Sequence, residues 1–344
     1  MTKPLFTIGI ASYNYADYIE KGLNAIKNQK FKDYEILISD DCSTDNSIEV
    51  IKKYINENPD ICIRLIENEK NLGIAGNKNA LIDNCNGEYL ILCDADDWMS
   101  ENCLEVMADT IKKEHPDRII SEVAHIDTNG NIIQTEHLSD TQTKWGWNIH
   151  HGCANRVSIL KEHNIRIHGR PDDVYFTLEF SKYCKKVSII KEVLYYWLVH
   201  LDSTGRGKKP VASEEWVRRV HGTLLHDMGD IIRYIEERND KDMAKDREEL
   251  RLVMLKMYYF KILFSFQKYS WINKLKYYKL LRSIMYDIDK NYLSNKYLSG
   301  KANAPLRPYA MKAIRLCARL ERLHLMPLAL TGYHIIGKFK YFDQ

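Results

Sequence analysis

Tyr89-Leu-Ile-Leu-Cys-Asp-Ala-Asp-Asp97 is the stretch that decides the fold. An apolar run of strand length leads straight into carboxylates, and two similar runs upstream lead into a polar and an acidic turn. Phe6-Thr-Ile-Gly-Ile-Ala11 leads into Ser12-Tyr13-Asn14, and Tyr34-Glu-Ile-Leu-Ile-Ser39 leads into Asp40-Asp41-Cys-Ser-Thr-Asp45. Helical patterns over Tyr18–Gln29, Ser47–Tyr54 and Ala75–Cys85 separate the strands, with one more strand at Ile63–Ile66. This alternation predicts an α/β fold: a Rossmann-like, mostly parallel sheet flanked by helices. Such sheets bind ligands beyond the carboxyl ends of their strands, so the residues after each strand carry the functional reading.

Outward from that core the pattern is mixed from about Trp145 to Arg206, with a helix at Val174–Tyr183 and a strand at Val187–Ile190. From Glu214 it turns helical, over Glu214–Glu237, Lys245–Phe266 and Ile272–Asp287, then, after Pro305 and Pro308, over Ala310–Leu325. Two domains are expected: 1–210, built on the sheet, and 211–344, an α-helical C-terminal region for acceptor, membrane-surface or oligomer contacts. Apolar residues make up 45% of the 344, enough for a sizeable core. The 50 Lys+Arg against 47 Asp+Glu leave +3, which argues against a nucleic-acid binder, since such domains carry a strong basic excess. The eight cysteines form no C-x-x-C pair, so neither a zinc knuckle nor a redox dithiol is indicated, and this usage fits a reducing cytoplasm. The opening Met1-Thr-Lys-Pro-Leu-Phe-Thr7 runs into a strand without a signal-peptide pattern. No apolar run approaches the ~20 residues of a spanning helix. A cytoplasmic protein is expected, soluble or at the inner face of the cell membrane.

Two groups of carboxylates thus meet at one edge of the sheet. Like charges so close persist only if a cation or hydrogen-bond donors neutralise them. Hard oxygen ligands without paired His or Cys suit Mg²⁺ or Mn²⁺, which bind through carboxylates and substrate phosphates. Taken alone, Asp94-Ala95-Asp96 reads better as a solvated acidic turn capping a helix that begins near Glu101, since short acidic triplets are common. Three strand ends in agreement favour a diphosphate–metal site instead.

The runs Thr7-Ile-Gly-Ile-Ala-Ser-Tyr-Asn-Tyr-Ala-Asp-Tyr-Ile19 and Phe31-Lys-Asp-Tyr-Glu-Ile-Leu-Ile-Ser-Asp-Asp-Cys-Ser-Thr-Asp-Asn-Ser47 resemble the opening of the family-two inverting glycosyltransferases, whose fold is GT-A. Asn71-Leu-Gly-Ile-Ala-Gly-Asn-Lys-Asn-Ala80 resembles that family's Asn-x-Gly-x-x-x-Ala-Arg-Asn segment, and Gly87–Asp97 resembles the strand leading to its metal motif. The resemblance covers roughly the first hundred residues in order, which is more specific than any single motif. It implies a nucleotide-diphosphate sugar donor, usually UDP-linked. Ala11, Tyr13 and Asp41 would line the base pocket, and Lys78 would stand near the nucleotide where the family has Arg, without the bidentate fork. Asp94 would touch the ribose or the metal shell, and Asp96 would ligate Mn²⁺ or Mg²⁺. A packed turn aromatic and a solvated helix lysine are the plain alternatives for Tyr13 and Lys78.

Further along, Arg170-Pro-Asp-Asp-Val-Tyr-Phe-Thr-Leu-Glu-Phe180 resembles the family's Glu-Asp pair at a helix start, with Asp172 in place of Glu. That makes Asp173 the general base, or else a helix cap. Val193-Leu-Tyr-Tyr-Trp-Leu-Val-His-Leu-Asp-Ser-Thr-Gly-Arg206 resembles the end of the catalytic domain. His200 would then be a metal ligand, touch the diphosphate, or be a structural histidine, and Arg206 would stabilise the leaving group. Trp145-Gly-Trp147, before Asn-Ile-His-His-Gly-Cys153, would offer aromatic faces to a sugar or join the core.

In the last helix Lys312, Arg315, Arg319 and Arg322 recur at three- and four-residue steps beside Met311, Ile314, Leu316, Leu320 and Leu323. That pattern serves a peripheral membrane contact, packing on the protein, or a homo-oligomer contact. The acceptor would be a glycan, lipid-linked or glycoprotein hydroxyl. A nucleotidyltransferase or a dinucleotide-dependent oxidoreductase would need a glycine-rich loop after the first strand, where Ala11-Ser-Tyr-Asn-Tyr15 has none. A non-catalytic nucleotide-binding or assembly protein on the same scaffold is the alternative, and it would not require Asp41, Asp96 and Asp173 together.

Overall fold

The computed structural model describes residues 3–138, 150–167, 172–199, 214–218, 222–237, 243–260, 270–300, 304, 306 and 308–336. The chain divides into two compact units, Met1–Leu138 with Trp147–Lys208, and Ser139–Gly146 with Lys209–Gln344.

In the first unit, strands β1 (Phe6–Ser12), β2 (Tyr34–Asp40), β3 (Ile63–Glu67) and β4 (Tyr89–Asp94) lie parallel in the order β3-β2-β1-β4. Helices α1 (Ile19–Lys27), α2 (Ser47–Glu57) and α3 (Gly73–Asn84) connect them. Every residue of β2 is buried, which is why its central Ile36-Leu37-Ile38 is apolar without alternation: helices cover both faces. The pleat still sorts side chains by face, Ile36, Ile38, Tyr89 and Ile91 into one core and Leu37, Leu90 and Leu92 into the other. Gly87 leads into β4, where an added Cβ would stand 2.4 Å from the Thr7 nitrogen, so this backbone approach admits no side chain.

The register decides what meets at the carboxyl edge. Ser12 pairs with Asp40, and Ala11 pairs with Asp94. The three acidic or polar turns therefore start at the same height on neighbouring strands.

Beyond β4 the sheet is mixed. The chain continues through β5 (Trp98–Met99), α4 (Cys103–Glu114), β6 (Arg118–Ile126), β7 (Ile132–Glu136), β8 (Cys153–Arg156), α5 (Val157–Glu162), α6 (Asp172–Tyr183) and β9 (Val187–Leu198). Strand β8 runs antiparallel between β4 and β6, and β9 pairs parallel to β6. β9 is 12 residues long, well past the expected end at Ile190. The exposed Lys191 and Glu192 interrupt its apolar pattern, and register shifts opposite Ser121–Val123 absorb them, so the strand resumes at Val193.

The second unit holds α7 (Glu214–Val217), α8 (Thr223–Glu237), α9 (Met243–Phe260), α10 (Trp271–Ile288), α11 (Pro308–Arg322) and α12 (Met326–Ile336). Where one helix was expected over Glu214–Glu237, two are described. α11 stops short of the expected Leu325 because His324 turns left-handed at φ 57°, and α12 follows. Glu321, fully buried on α11, ties the unit together. Its Oε1 accepts from Tyr258 of α9 (3.1 Å), Arg282 of α10 (3.2 Å) and Tyr292 (2.5 Å). Among the described residues no helix is long and apolar enough to cross a membrane.

Candidate active site

The carboxyl ends of β1 and β2 carry several acids at close quarters, and short polar side chains bind them down. Asn14 sits in the left-handed region (φ 60°), which asparagine tolerates. Its Oδ1 accepts from the amides of Thr44 (2.7 Å) and Asp45 (3.3 Å), joining the two turns. Asp40 is buried and accepts from the Ser43 amide (2.8 Å), the Ser43 hydroxyl (2.7 Å) and the Ser12 hydroxyl (3.1 Å). Asp45 accepts from the hydroxyl (2.5 Å) and amide (3.0 Å) of Ser47. Burial opposes its ionisation, but these donors outweigh burial and hold its carboxyl below the ordinary range. Asp40 and Asp45 are thus consumed in building the loop.

Asp41 is differently placed. It is 2% exposed; its Oδ1 accepts from the Leu72 amide (2.8 Å) at the start of α3 and from Asn68 Nδ2 (3.1 Å). Asn77 of α3 closes the same corner, donating to the Ser12 carbonyl (3.1 Å) and accepting from Asn68 (3.1 Å). Tyr13 stands 44% exposed beside it, and Ala11 is half-buried.

The end of β4 gathers the second group. Asp94 Oδ1 takes the Lys78 ammonium at 3.0 Å, and Lys78 Nζ also lies 3.2 Å from His150 Nε2. Asp94 Oδ2 faces His151 Nε2 at 3.2 Å. Lys78, His150 and His151 are all buried. The His151 ring is sandwiched, with His150 stacked on one side at 4.2 Å and Trp197 of β9 at 4.6 Å. The next residue, Gly152, has φ 65°, and a Cβ there would meet Ser121 Oγ at 2.7 Å, so glycine lets the chain turn from the imidazoles into β8. Asp97 accepts from Tyr195 Oη (2.8 Å) and the Leu198 amide (2.9 Å), and Tyr195 Oη in turn accepts from the Asp94 amide (3.2 Å).

The three acids of this turn are driven apart electrostatically. Burial alone would raise Asp94, but the Lys78 ammonium and hydrogen bonds from both histidines hold it well below the ordinary carboxylate range. Burial, then the charges of Asp94 and Asp96, push Asp97 well above that range, against the opposing pull of its two donors. Asp96, 9% exposed, is the third. Its charge and those of Asp94 and Asp97 add to burial in pushing the Tyr15 hydroxyl up.

Among the described residues, the carboxylate and imidazole donors close enough to hold a metal ion are Asp94, His150 and His151, whose ligand atoms lie within 4.8 Å of one another. This set differs from the expected pair: Asp96 is not in it, and His200 lies outside the described residues. Two imidazoles with one carboxylate suit Mn²⁺ better than the oxygen-seeking Mg²⁺. The sequence reading of Trp145–Cys153 gives its tryptophans to a sugar or to the core and assigns no role to its histidines. Its His-His pair directly before a strand was the available signal, but only the pairing of β8 with β4 brings those rings to Asp94. Lys78, expected beside the nucleotide, is engaged with Asp94. Asp173 is the second residue of α6, with its side chain outside what is described. Arg206, Trp145 and Trp147 also lie outside the described residues.

Residues 7–167 match the family described as Glycosyl transferase family 2. Among curated proteins the chain is similar to the poly(ribitol-phosphate) beta-N-acetylglucosaminyltransferase TarS of Staphylococcus aureus, 22% identical over 224 residues, which is 61% of this chain and 38% of TarS. The chain therefore spans well under two thirds of that relative. Among solved structures it is similar to S. aureus TarS 1–349 in complex with UDP-GlcNAc (TM-score 0.67, 18% identity, 93% of this chain and 92% of that one). It is also similar to the mannosyltransferase PcManGT of Pyrobaculum calidifontis in complex with GDP-Man and Mn²⁺ (TM-score 0.50, 16% identity, 98% and 89% covered). At these identities the structures share a fold, the GT-A fold.

Proposed function

We propose that the chain, whose residues 7–167 match glycosyl transferase family 2, moves a sugar from a nucleotide-diphosphate donor to an acceptor hydroxyl, with inversion. The observation that carries this reading is the register that sets Ser12 beside Asp40 and Ala11 beside Asp94, gathering the turns of three strands at one edge within the family segment. A uridine donor is favoured because TarS 1–349, of the same fold, was solved with UDP-GlcNAc.

Tyr13, exposed at the strand end, lies against the base. Asp41 accepts from the imide N–H; its carboxylate is already oriented by Leu72 and Asn68, so the base meets an acceptor that need not be ordered on binding. Asp173 takes the proton of the acceptor hydroxyl as its oxygen attacks the anomeric carbon, and the bond to the diphosphate oxygen breaks on the opposite face. Arg206 steadies the leaving diphosphate. Asp96, Asp94, His150, His151 and His200 are the residues that would hold a divalent ion, whose chemistry is to neutralise charge on the leaving group. The acceptor is a glycan, lipid-linked or protein-linked hydroxyl.

Calorimetric titration with UDP-GlcNAc, UDP-glucose and GDP-mannose, with and without Mn²⁺, tests the reading alongside an assay for nucleotide release. Tight uridine-nucleotide binding that strengthens with Mn²⁺, together with slow hydrolysis, is expected. Absence of binding by every donor would overturn the proposal, and binding without turnover would favour a non-catalytic scaffold.

A further inference from the structure

The C-terminal helices carry a surface that the transfer reaction does not use. On α11 the residues Ala310, Met311, Ala313, Ile314, Cys317, Ala318 and Glu321 are buried, which fixes the face turned into the unit. The opposite stripe runs Tyr309, Lys312, Leu316, Arg319, Leu323. At about 100° per residue these five fall within a sector of about 80°, one continuous ridge. All five are exposed, Leu316 by 58% and Leu323 by 65%. Just past the left-handed turn at His324, Leu325 and Leu328 are exposed as well, Leu328 by 69%. A soluble helix normally places charge there. Here bare leucines alternate with cations.

We propose that this ridge docks the protein on an anionic lipid surface. The leucines and Tyr309 would enter the headgroup–acyl boundary, while Lys312 and Arg319 meet lipid phosphates. Charge complementarity selects this occupant. The ridge carries Lys312 and Arg319 and no acid, since Glu321, the one acid of α11, is buried inside the unit, so the face is cationic. A second copy docking through the same ridge about a two-fold axis would set cation against cation. A soluble polyanion would use the cations but leave the leucines idle.

The test is co-sedimentation of the full chain with vesicles of phosphatidylcholine alone and of phosphatidylcholine with phosphatidylglycerol. Binding to the anionic vesicles only, weakening as salt rises from about 0.1 to about 0.5 M, is expected. Lys312→Ala with Arg319→Ala should weaken partitioning by roughly twenty-five-fold, at about five-fold per cation. Leu316→Ser with Leu323→Ser should weaken it by more than about ten-fold. All four side chains are exposed, and unchanged circular dichroism and donor affinity would show that the variants fold. No binding to anionic vesicles, or binding untouched by the leucine pair, overturns the proposal. So does a concentration-dependent dimer that the same leucine changes dissociate, since the ridge would then be an interface between copies.

Discussion

Removing the buried ammonium of Lys78 tests how the site is held. Lys78 Nζ lies 3.0 Å from Asp94 Oδ1, with the lysine 2% and the aspartate 29% exposed. At an effective dielectric of about 20 that separation corresponds to an attraction of about 5 kcal/mol, and breaking one side of a buried pair typically costs about 3–5 kcal/mol. Lys78→Met should therefore destabilise the metal-free protein by about 3 kcal/mol, at the low end because Asp94 retains some access to water. Asp94→Asn should cost more, since it strands the more deeply buried of the two charges. The double variant leaves no charge unpaired, so it should be more stable than the two single losses predict, by about 2–3 kcal/mol of coupling. Urea unfolding of the four proteins, followed by tryptophan fluorescence, measures the cycle. Additivity within about 0.5 kcal/mol would refute the reasoning, because it would mean that the ion pair contributes nothing to holding Asp94 in place.

Asp97 makes a pH prediction of known sign. Its folded value lies well above its unfolded one of about 3.9, so the contribution of this group is present below the unfolded value and lost as pH rises through the folded one. Asp97→Asn, always neutral, should gain melting temperature relative to wild type between about pH 5 and about pH 8, and a gain that shrinks over that range would contradict it. Asp173→Asn should lower turnover by roughly 10²–10⁴-fold while leaving donor affinity unchanged; wild-type turnover would dismiss Asp173 as base. In the helical unit, Glu321→Ala should cost about 3 kcal/mol in urea unfolding, since Tyr258 and Tyr292 lose a buried acceptor and Arg282 its charge partner. A change below about 1 kcal/mol would mean that the carboxylate is not the hub of that unit.

The α/β alternation of the first hundred residues was legible because each strand is short, apolar and bounded by its own turn chemistry. The four parallel strands lie within a few residues of where periodicity set them, and the acids at the ends of the second and fourth strands were legible for the same reason. Chain order alone also marked the helical C-terminal half. What tertiary structure decided is which partner each acid meets. Asp40, Asp41 and Asp45 look alike in sequence, yet serine groups hold Asp40 and Asp45 within the loop, while Leu72 and Asn68 orient Asp41. Asp97 is bound by Tyr195, about a hundred residues downstream. His150 and His151 reach Asp94 only through the antiparallel pairing of β8 with β4, a long-range contact that no local pattern encodes. Periodicity reports what a segment buries against its immediate surroundings. Partnership between distant polar groups depends on strand order and register, which the whole chain settles at once when it folds.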